Sequence, residues 1–264
     1  MVNFLFYQIN FKNYYIFVAL VLVFSAPNIY LAMINKIFPK IVSKLDFFEK
    51  GTIVSYVNVY NYLALRKLPD TVQSIDKFTL DGILLKVLLR LFYFKKNNRL
   101  SPDFSSYFVD LFKDAVLQMQ SVYFIGATEV EIENFVSVVK RKFINLNISG
   151  YNNGFVNDSE LNNLSSQIIK LNPDIVFVGL GTPKQEIFSC FLKKNGFRGT
   201  IYTCGAFISQ TANHGFNYYP KFINTLHMRW LYRLIKERGL IKRYFMYYPF
   251  AIMILTLDFL KSKL

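Results

Sequence analysis

Residues that build metal sites and disulfide frameworks are scarce in this chain. Its 264 residues include two cysteines, Cys190 and Cys204, and two histidines, His214 and His227. None of the four stands at metal-ligand spacing, so a zinc site has no support. Two separated cysteines make no disulfide framework and read as buried small hydrophobes of a reducing compartment. Asp-x-Asp, the carboxylate pair that bridges a divalent metal to a diphosphate, does not occur. Neither does G-x-G-x-x-G after a strand, so a dinucleotide-dependent oxidoreductase lacks its fingerprint. Acids are few as well: 17 Asp and Glu against 31 Lys and Arg, a net charge of +14. A chain this basic suits a polyanion, whether nucleic acid, an anionic membrane surface or a phosphorylated substrate. No nucleic-acid-binding module accompanies the charge, so nucleic acid is not expected as a partner.

Aromatics, by contrast, are plentiful, with 28 Phe and 18 Tyr. The one long apolar run near the start, Tyr14–Ala26, has about two-thirds of the ~20 residues a spanning helix needs. Pro27-Asn28 ends it, and no A-x-A cleavage pattern follows. With Val18, Val21 and Val23 it reads as a buried first strand, a membrane anchor being the alternative. A helix over 28–45 is expected next.

Strand signals recur at 18–24, 52–57, 74–80, 122–126, 146–150, 174–179 and 200–205. Helical patterns lie between them at 60–68, 83–94, 104–119, 129–144, 158–171 and 184–195. This alternation predicts an α/β fold, a variant Rossmann-like domain with a mostly parallel sheet. The stretch 95–103, KKNNRLSPD, is a candidate mobile active-site loop. Near residue 219 the strand signals stop and a basic, aromatic helical pattern begins. The predicted organisation is therefore an α/β domain over 1–218 and a helical appendage over 219–264. From Lys221 to Leu264 there are nine Lys and Arg against two acids, together with the only Trp. Basic residues mixed with Trp, Tyr and long aliphatics fit a membrane interface, a solvated basic helix being the plainer reading.

In such sheets ligands bind beyond the carboxyl ends of the strands. Asn58, Asp81-Gly82, Gly126, Asn152–Gly154 and Gly181–Glu186 fall at those ends. The stretch VFVGLGTPKQE, Val176–Glu186, carries the most information. A strand, a glycine turn, Thr182 as N-cap, Pro183 at the first helical position and Gln185 closing a capping box explain most of it. Lys184 is not explained, because a cation in a first helical turn faces the wrong end of the dipole. An anion held there by Lys184 and the helix N–H groups would reverse that sign.

Gly-Leu-Gly-Thr-Pro-Lys-Gln-Glu, preceded by NPDIVFV and followed by WLYRL at 230–234, resembles the WecG/TagA/CpsF family of bacterial glycosyltransferases. The resemblance implies an inverting, metal-independent transferase without a cofactor. It would move a hexosamine-type sugar from a UDP-sugar to a polyprenyl-diphosphate-linked sugar, in surface polysaccharide synthesis. Such an enzyme would be peripheral on the inner, cytoplasmic face of the plasma membrane and touch anionic lipids. The family's proposed base is matched by Asp81, for which the residues alone leave an N-cap role open. Asn58, Arg99, Asp103, Gly126, Gly181, Lys184, Gln185, Glu186, Arg233 and Arg243 are the implied substrate-binding positions. Departures cluster late: Ser209 where the family has Asp, Tyr218-Tyr219-Pro220 for Arg-Ala-Pro, Arg229 for Glu, and Arg238 and Leu240 for Pro and Arg. They bear on the acceptor side, and the alternatives are a degenerate, non-catalytic relative or a Rossmann-like nucleotide-binding protein.

Overall fold

The structure, a computed structural model, describes residues 33–94, 96–216, 223, 231–232, 234 and 243–262. The strand expected at 18–24 lies outside the described residues, as do Tyr218–Pro220, His227, Arg229, Trp230, Arg233, Arg238 and Leu240. The described part is a seven-stranded sheet flanked by helices. Its strands are β1 (Ile41–Val42), β2 (Ile53–Val57), β3 (Lys77–Leu80), β4 (Ser121–Gly126), β5 (Asn147–Asn152), β6 (Ile175–Gly179) and β7 (Thr200–Thr203). They lie in the order β1-β3-β2-β7-β6-β4-β5, and every pairing is parallel. Ahead of β1 stands α1 (Met33–Ile37), and from β2 onward helices supply the crossovers that parallel strands need: α2 (Val59–Leu65), α3 (Pro69–Ser74), α4 (Ile83–Tyr93), α5 (Phe108–Leu117), α6 (Glu129–Lys142), α7 (Asp158–Leu171) and α8 (Lys184–Lys194); α9 (Phe207–His214) follows β7. A last helix, α10 (Tyr248–Lys261), follows the π-helical turn Arg243–Tyr247.

Strand alternation sorts the core into two layers. In β6, Val176 and Val178 face the layer built with α1, α2, α4, α7, α8 and α10, while Ile175 and Phe177 face α5, α6 and α9. The second layer accounts for much of the phenylalanine. Phe108, Phe112, Phe124 and Phe177 lie within 5.0–6.2 Å of one another along their contacts, stacked, tilted or edge-on.

The helix expected over 28–45 is instead α1, a 3-10 turn at Phe38–Lys40, and β1. Pro39 cannot donate into a continuing helix. Lys40 then reaches the carbonyls of Val72, Gln73 and Ile75 at the end of α3. The last helix joins the first core layer through Ala251, Ile254 and Leu255. Its one acid, Asp258, is buried and takes Arg66 Nε at 2.6 Å, Arg66 Nη2 at 2.8 Å and the Tyr62 hydroxyl at 2.7 Å. That pairing fixes α10 onto α2.

Candidate active site

The order of the strands brings the carboxyl ends of β3, β2 and β7 side by side. Asn58 follows β2 in extended conformation and caps α2: its Oδ1 accepts from the backbone N–H of Tyr60 and Asn61 at 3.0 and 2.9 Å. Its amide N–H₂ is thereby turned toward Asp81, donating to Oδ2 at 3.3 Å. Asp81 itself directly follows β3, with its N–H bonded to Val57 O at 2.9 Å. The N-cap role left open for Asp81 is not what is found. Gly82 occupies that position, with φ +83°, and no side chain caps α4. The left-handed φ, readily adopted by glycine, turns the chain away just after Asp81. Ser101 Oγ donates to Asp81 Oδ1 at 2.7 Å, so each carboxylate oxygen has one side-chain donor.

Around this carboxylate lies a cavity of about 610 Å³. Asp81, Asn58, Arg99 and Asp103 all line it, so four of the residues singled out in the sequence come together. Tyr56, Ser101, Gln210, Tyr244 and Tyr248 line it too, and these had not been singled out for binding. Ser101 stands within the very stretch Arg99–Asp103 quoted from the sequence, and spacing alone did not show that it would reach Asp81. The loop 95–103, expected to be mobile, is tied down where it meets the site. Leu100 N–H bonds Leu80 O at 2.9 Å, Asn98 N–H bonds Ser43 Oγ at 3.2 Å, and Asn97 and Ser101 are buried. Asp103 Oδ1 accepts from Ser105 N–H at 2.8 Å and from the Ser105 hydroxyl. The lining also has apolar residues, among them Leu84, Val87 and Ile252.

The Gly181–Glu186 loop lies across β7 from this cavity, and none of its residues lines it. The expected capping box is absent: α8 begins after Pro183, which has no side-chain cap, and the Thr182–Pro183 peptide is cis. Gln185 points inward instead. Its Nε2 donates to Thr182 Oγ1 at 3.1 Å and Glu186 Oε1 at 2.8 Å, and its Oε1 accepts the Gly205 N–H at 3.0 Å. Glu186 Oε1 also accepts from Ser55 Oγ and Thr182 Oγ1, both at 3.1 Å. Thr203 Oγ1 donates to Ser55 Oγ at 2.9 Å. Gln185 and Glu186 are both fully buried, and burial pushes the Glu186 carboxyl above its ordinary pKa. This network joins α8 to β2, β7 and the loop after β7.

Lys184 Nζ donates to Val156 O at 2.9 Å, and Gly181 has φ +73° in open space. Gly126 serves packing: a Cβ there would sit 2.6 Å from Gly179 O, so its lack of a side chain lets the ends of β4 and β6 meet. Arg243 opens the turn whose Tyr244 borders the cavity, its own side chain lying outside what is described. Ser209, the departure after Cys204, is not at the cavity; its Oγ donates to Glu131 Oε2 at 3.4 Å on α6. Burial raises the pKa of both thiols, that of Cys190 to about 11. Among the described residues, no three His, Cys, Asp or Glu side chains are grouped to hold a metal ion.

Comparison with known proteins bears on this geometry. The family model described as "Glycosyl transferase WecG/TagA/CpsF family" matches residues 28–264. The chain is 31% identical over 212 residues, 80% of its length and 88% of the relative's, to the UDP-Gal:alpha-D-GlcNAc-diphosphoundecaprenol beta-1,4-galactosyltransferase of Shigella boydii. It is 29% identical over 216 residues, 74% of its length and 78% of the relative's, to the N-acetylglucosaminyldiphosphoundecaprenol N-acetyl-beta-D-mannosaminyltransferase of Bacillus subtilis (strain 168). An enzyme of the latter name from Bacillus spizizenii is 30% identical over 128 residues, 48% of this chain and 49% of the relative. A parallel α/β sheet with a carboxylate set in a cavity at its carboxyl edge thus stands in a chain that belongs to the WecG/TagA/CpsF family of glycosyltransferases.

Proposed function

We propose that this glycosyltransferase moves a hexosamine-type sugar from a UDP-sugar to a polyprenyl-diphosphate-linked sugar, by a single inverting displacement that needs no metal ion. The name of the Shigella boydii relative, which specifies UDP-Gal, makes a plain hexose the second reading. One observation carries the proposal: the Asp81 carboxylate, held by Asn58 and Ser101, opens into a large cavity that Arg99 also lines. In that role Asp81 takes the proton of the acceptor hydroxyl as its oxygen bonds to the anomeric carbon. The bond from that carbon to the diphosphate breaks, and its electron pair leaves with UDP. Charge grows on the diphosphate, and Arg99, Arg233 and Arg243 are the cations proposed to meet it. Asp103 orders the loop that presents Arg99. Gly181 and Lys184 form a second anion-holding turn in this proposal, with Gln185, Glu186 and Gly126 positioning it.

The segment 219–264 is proposed as the part that rests on the inner face of the plasma membrane. Its exposed Phe245 and Met246 and its basic composition support that reading. Among the described residues no helix is long and apolar enough to cross a membrane.

The test is a donor panel with EDTA present. Purified protein, a short-chain lipid-diphosphate-GlcNAc acceptor and individual UDP-sugars are combined; UDP release, product mass and anomeric configuration are followed. Acceptor-dependent transfer with inverted configuration is expected. Transfer that stops in EDTA and returns with a divalent cation refutes the metal-free mechanism. Absence of both donor binding and transfer identifies a degenerate relative.

A further inference from the structure

Helix α4 starts beside the candidate base and has two unlike faces. Inward, Leu85 and Leu89 are buried and Phe92 stacks on Phe259 of α10 at 4.5 Å. Outward, Leu84, Val87, Leu91 and Phe94 are 37, 47, 63 and 90% exposed. At about 100° per residue Leu84, Val87 and Leu91 follow one stripe, roughly opposite Leu85 and Leu89 and about 10 Å long, and Phe94 stands just past the end of the helix. Exposed aliphatics at this spacing belong in a core or against a partner. The charge beside them is of one sign. From Ile83 to Leu100 the chain carries Lys86, Arg90, Lys95, Lys96 and Arg99 and no acid. An apolar stripe edged by cations fits the surface of an anionic bilayer, where the side chains enter the acyl boundary and the cations meet headgroups.

Position strengthens the match. Leu84 and Val87 of α4 and Tyr248 and Ile252 of α10 all line the Asp81 cavity. Just before α10, Phe245 and Met246 are 72 and 54% exposed. Exposed apolar residues therefore flank the cavity on two separate elements.

We infer that α4 is a membrane-lying helix, a second anionic-lipid contact distinct from the C-terminal segment. It sets the cavity mouth at headgroup level. A lipid-linked diphosphate would then reach Asp81 while its chain stays in the bilayer. The inference rests on the membrane-surface reading above and adds a contact that reading does not require.

The experiment uses the full chain and the double variant Leu91→Gln with Phe94→Asn. Neither residue lines the cavity, and Asn tolerates the left-handed conformation of Phe94, φ 53°. Binding to phosphatidylcholine vesicles with and without phosphatidylglycerol is measured by co-sedimentation. Transfer is measured to a water-soluble short-chain acceptor and to a long-chain acceptor in vesicles. The expected result is anionic-vesicle binding weakened about tenfold or more. Long-chain transfer should fall with it while short-chain transfer is unchanged. Should the parent ignore vesicles altogether, the membrane-surface reading fails and this inference with it. Should parent and double variant bind vesicles equally, α4 is not a contact, although the C-terminal reading stands. Loss of short-chain transfer in the double variant would mean the stripe acts on the site or the fold, which also overturns the inference. A concentration-dependent dimer that the variant abolishes, with vesicle binding intact, would assign the stripe to a second copy instead.

Discussion

The carboxyl edge of the sheet carries two kinds of loop. At β3 and β2, Asp81 and Asn58 hold hydrogen bonds yet still face open space. At β6, Gln185 and Glu186 are fully buried and bond to one another, to Ser55, to Thr182 and to the Gly205 backbone. The second loop is the more recognisable in the sequence and the more closed in space. Side chains that hold a fold-defining turn are as constrained as those that touch a ligand, so a strong motif marks constraint of either kind. The contrast is between polar groups committed to the fold and polar groups left available for chemistry.

The largest expected effect tests the open side. Asp81→Asn keeps the shape of the side chain and an acceptor for Ser101, gives up the longer bond from Asn58, and cannot take a proton from the acceptor hydroxyl. Transfer should fall about a hundred- to ten-thousand-fold. Donor affinity and thermal stability should stay near the parent's, as isothermal titration and calorimetry would show. Surviving transfer would remove Asp81 from the chemistry and leave the cavity without its proposed base.

The closed side should behave the other way round. Gln185→Ala leaves the Gly205 N–H without its side-chain acceptor and removes two donated bonds from a buried site. A loss of about 2–4 kcal/mol is expected, seen as a Tm lower by roughly 5–10 °C. Activity per folded molecule, measured well below that Tm, should fall far less than in Asp81→Asn. An unchanged Tm with abolished transfer would place Gln185 against substrate and dissolve the contrast.

What the sequence made legible follows the same division. Strands β2 to β7 were readable because short β-branched and aromatic runs end in Gly, Asn or Asp. The polar end of the cavity was readable because strand ends in a parallel sheet converge. Its other wall was not, since Tyr248 and Ile252 arrive on a helix that returns from the far end of the chain. Asp258, isolated in an apolar run, gave no sign of pairing with Arg66, 192 positions away. The two-residue β1 is too short for any periodicity, and α9 follows Cys-Gly-Ala, which reads as readily as a loop. The direction of Gln185 also eluded spacing. Three residues after Thr182 suits a capping box, and only the neighbouring Gly205 N–H decides that its oxygen turns inward.

The smallest effect concerns Glu186 and is seen in its pH dependence. Burial raises its pKa in the folded state above the unfolded value, near 4.3. The folded protein thus keeps this proton over a range where the unfolded chain has lost it, and unfolding releases it. Stability from this group is fully present below the unfolded pKa and is lost as pH rises through the folded one; above that it stays at the lower level. Glu186→Gln preserves Oε1 as the acceptor for Ser55, Thr182 and Gln185 but abolishes the titration. The second oxygen, which has no hydrogen-bond partner, becomes an amide nitrogen with none, so the variant begins below the parent at acidic pH. The Tm of variant minus parent should then climb as pH rises above the unfolded value, by less than the Gln185→Ala loss. A difference that stays flat with pH would mean that Glu186 titrates as it does in the unfolded chain. The network would then hold an ordinary carboxylate, and the closed side of the edge would be less sealed from water than its hydrogen bonds imply.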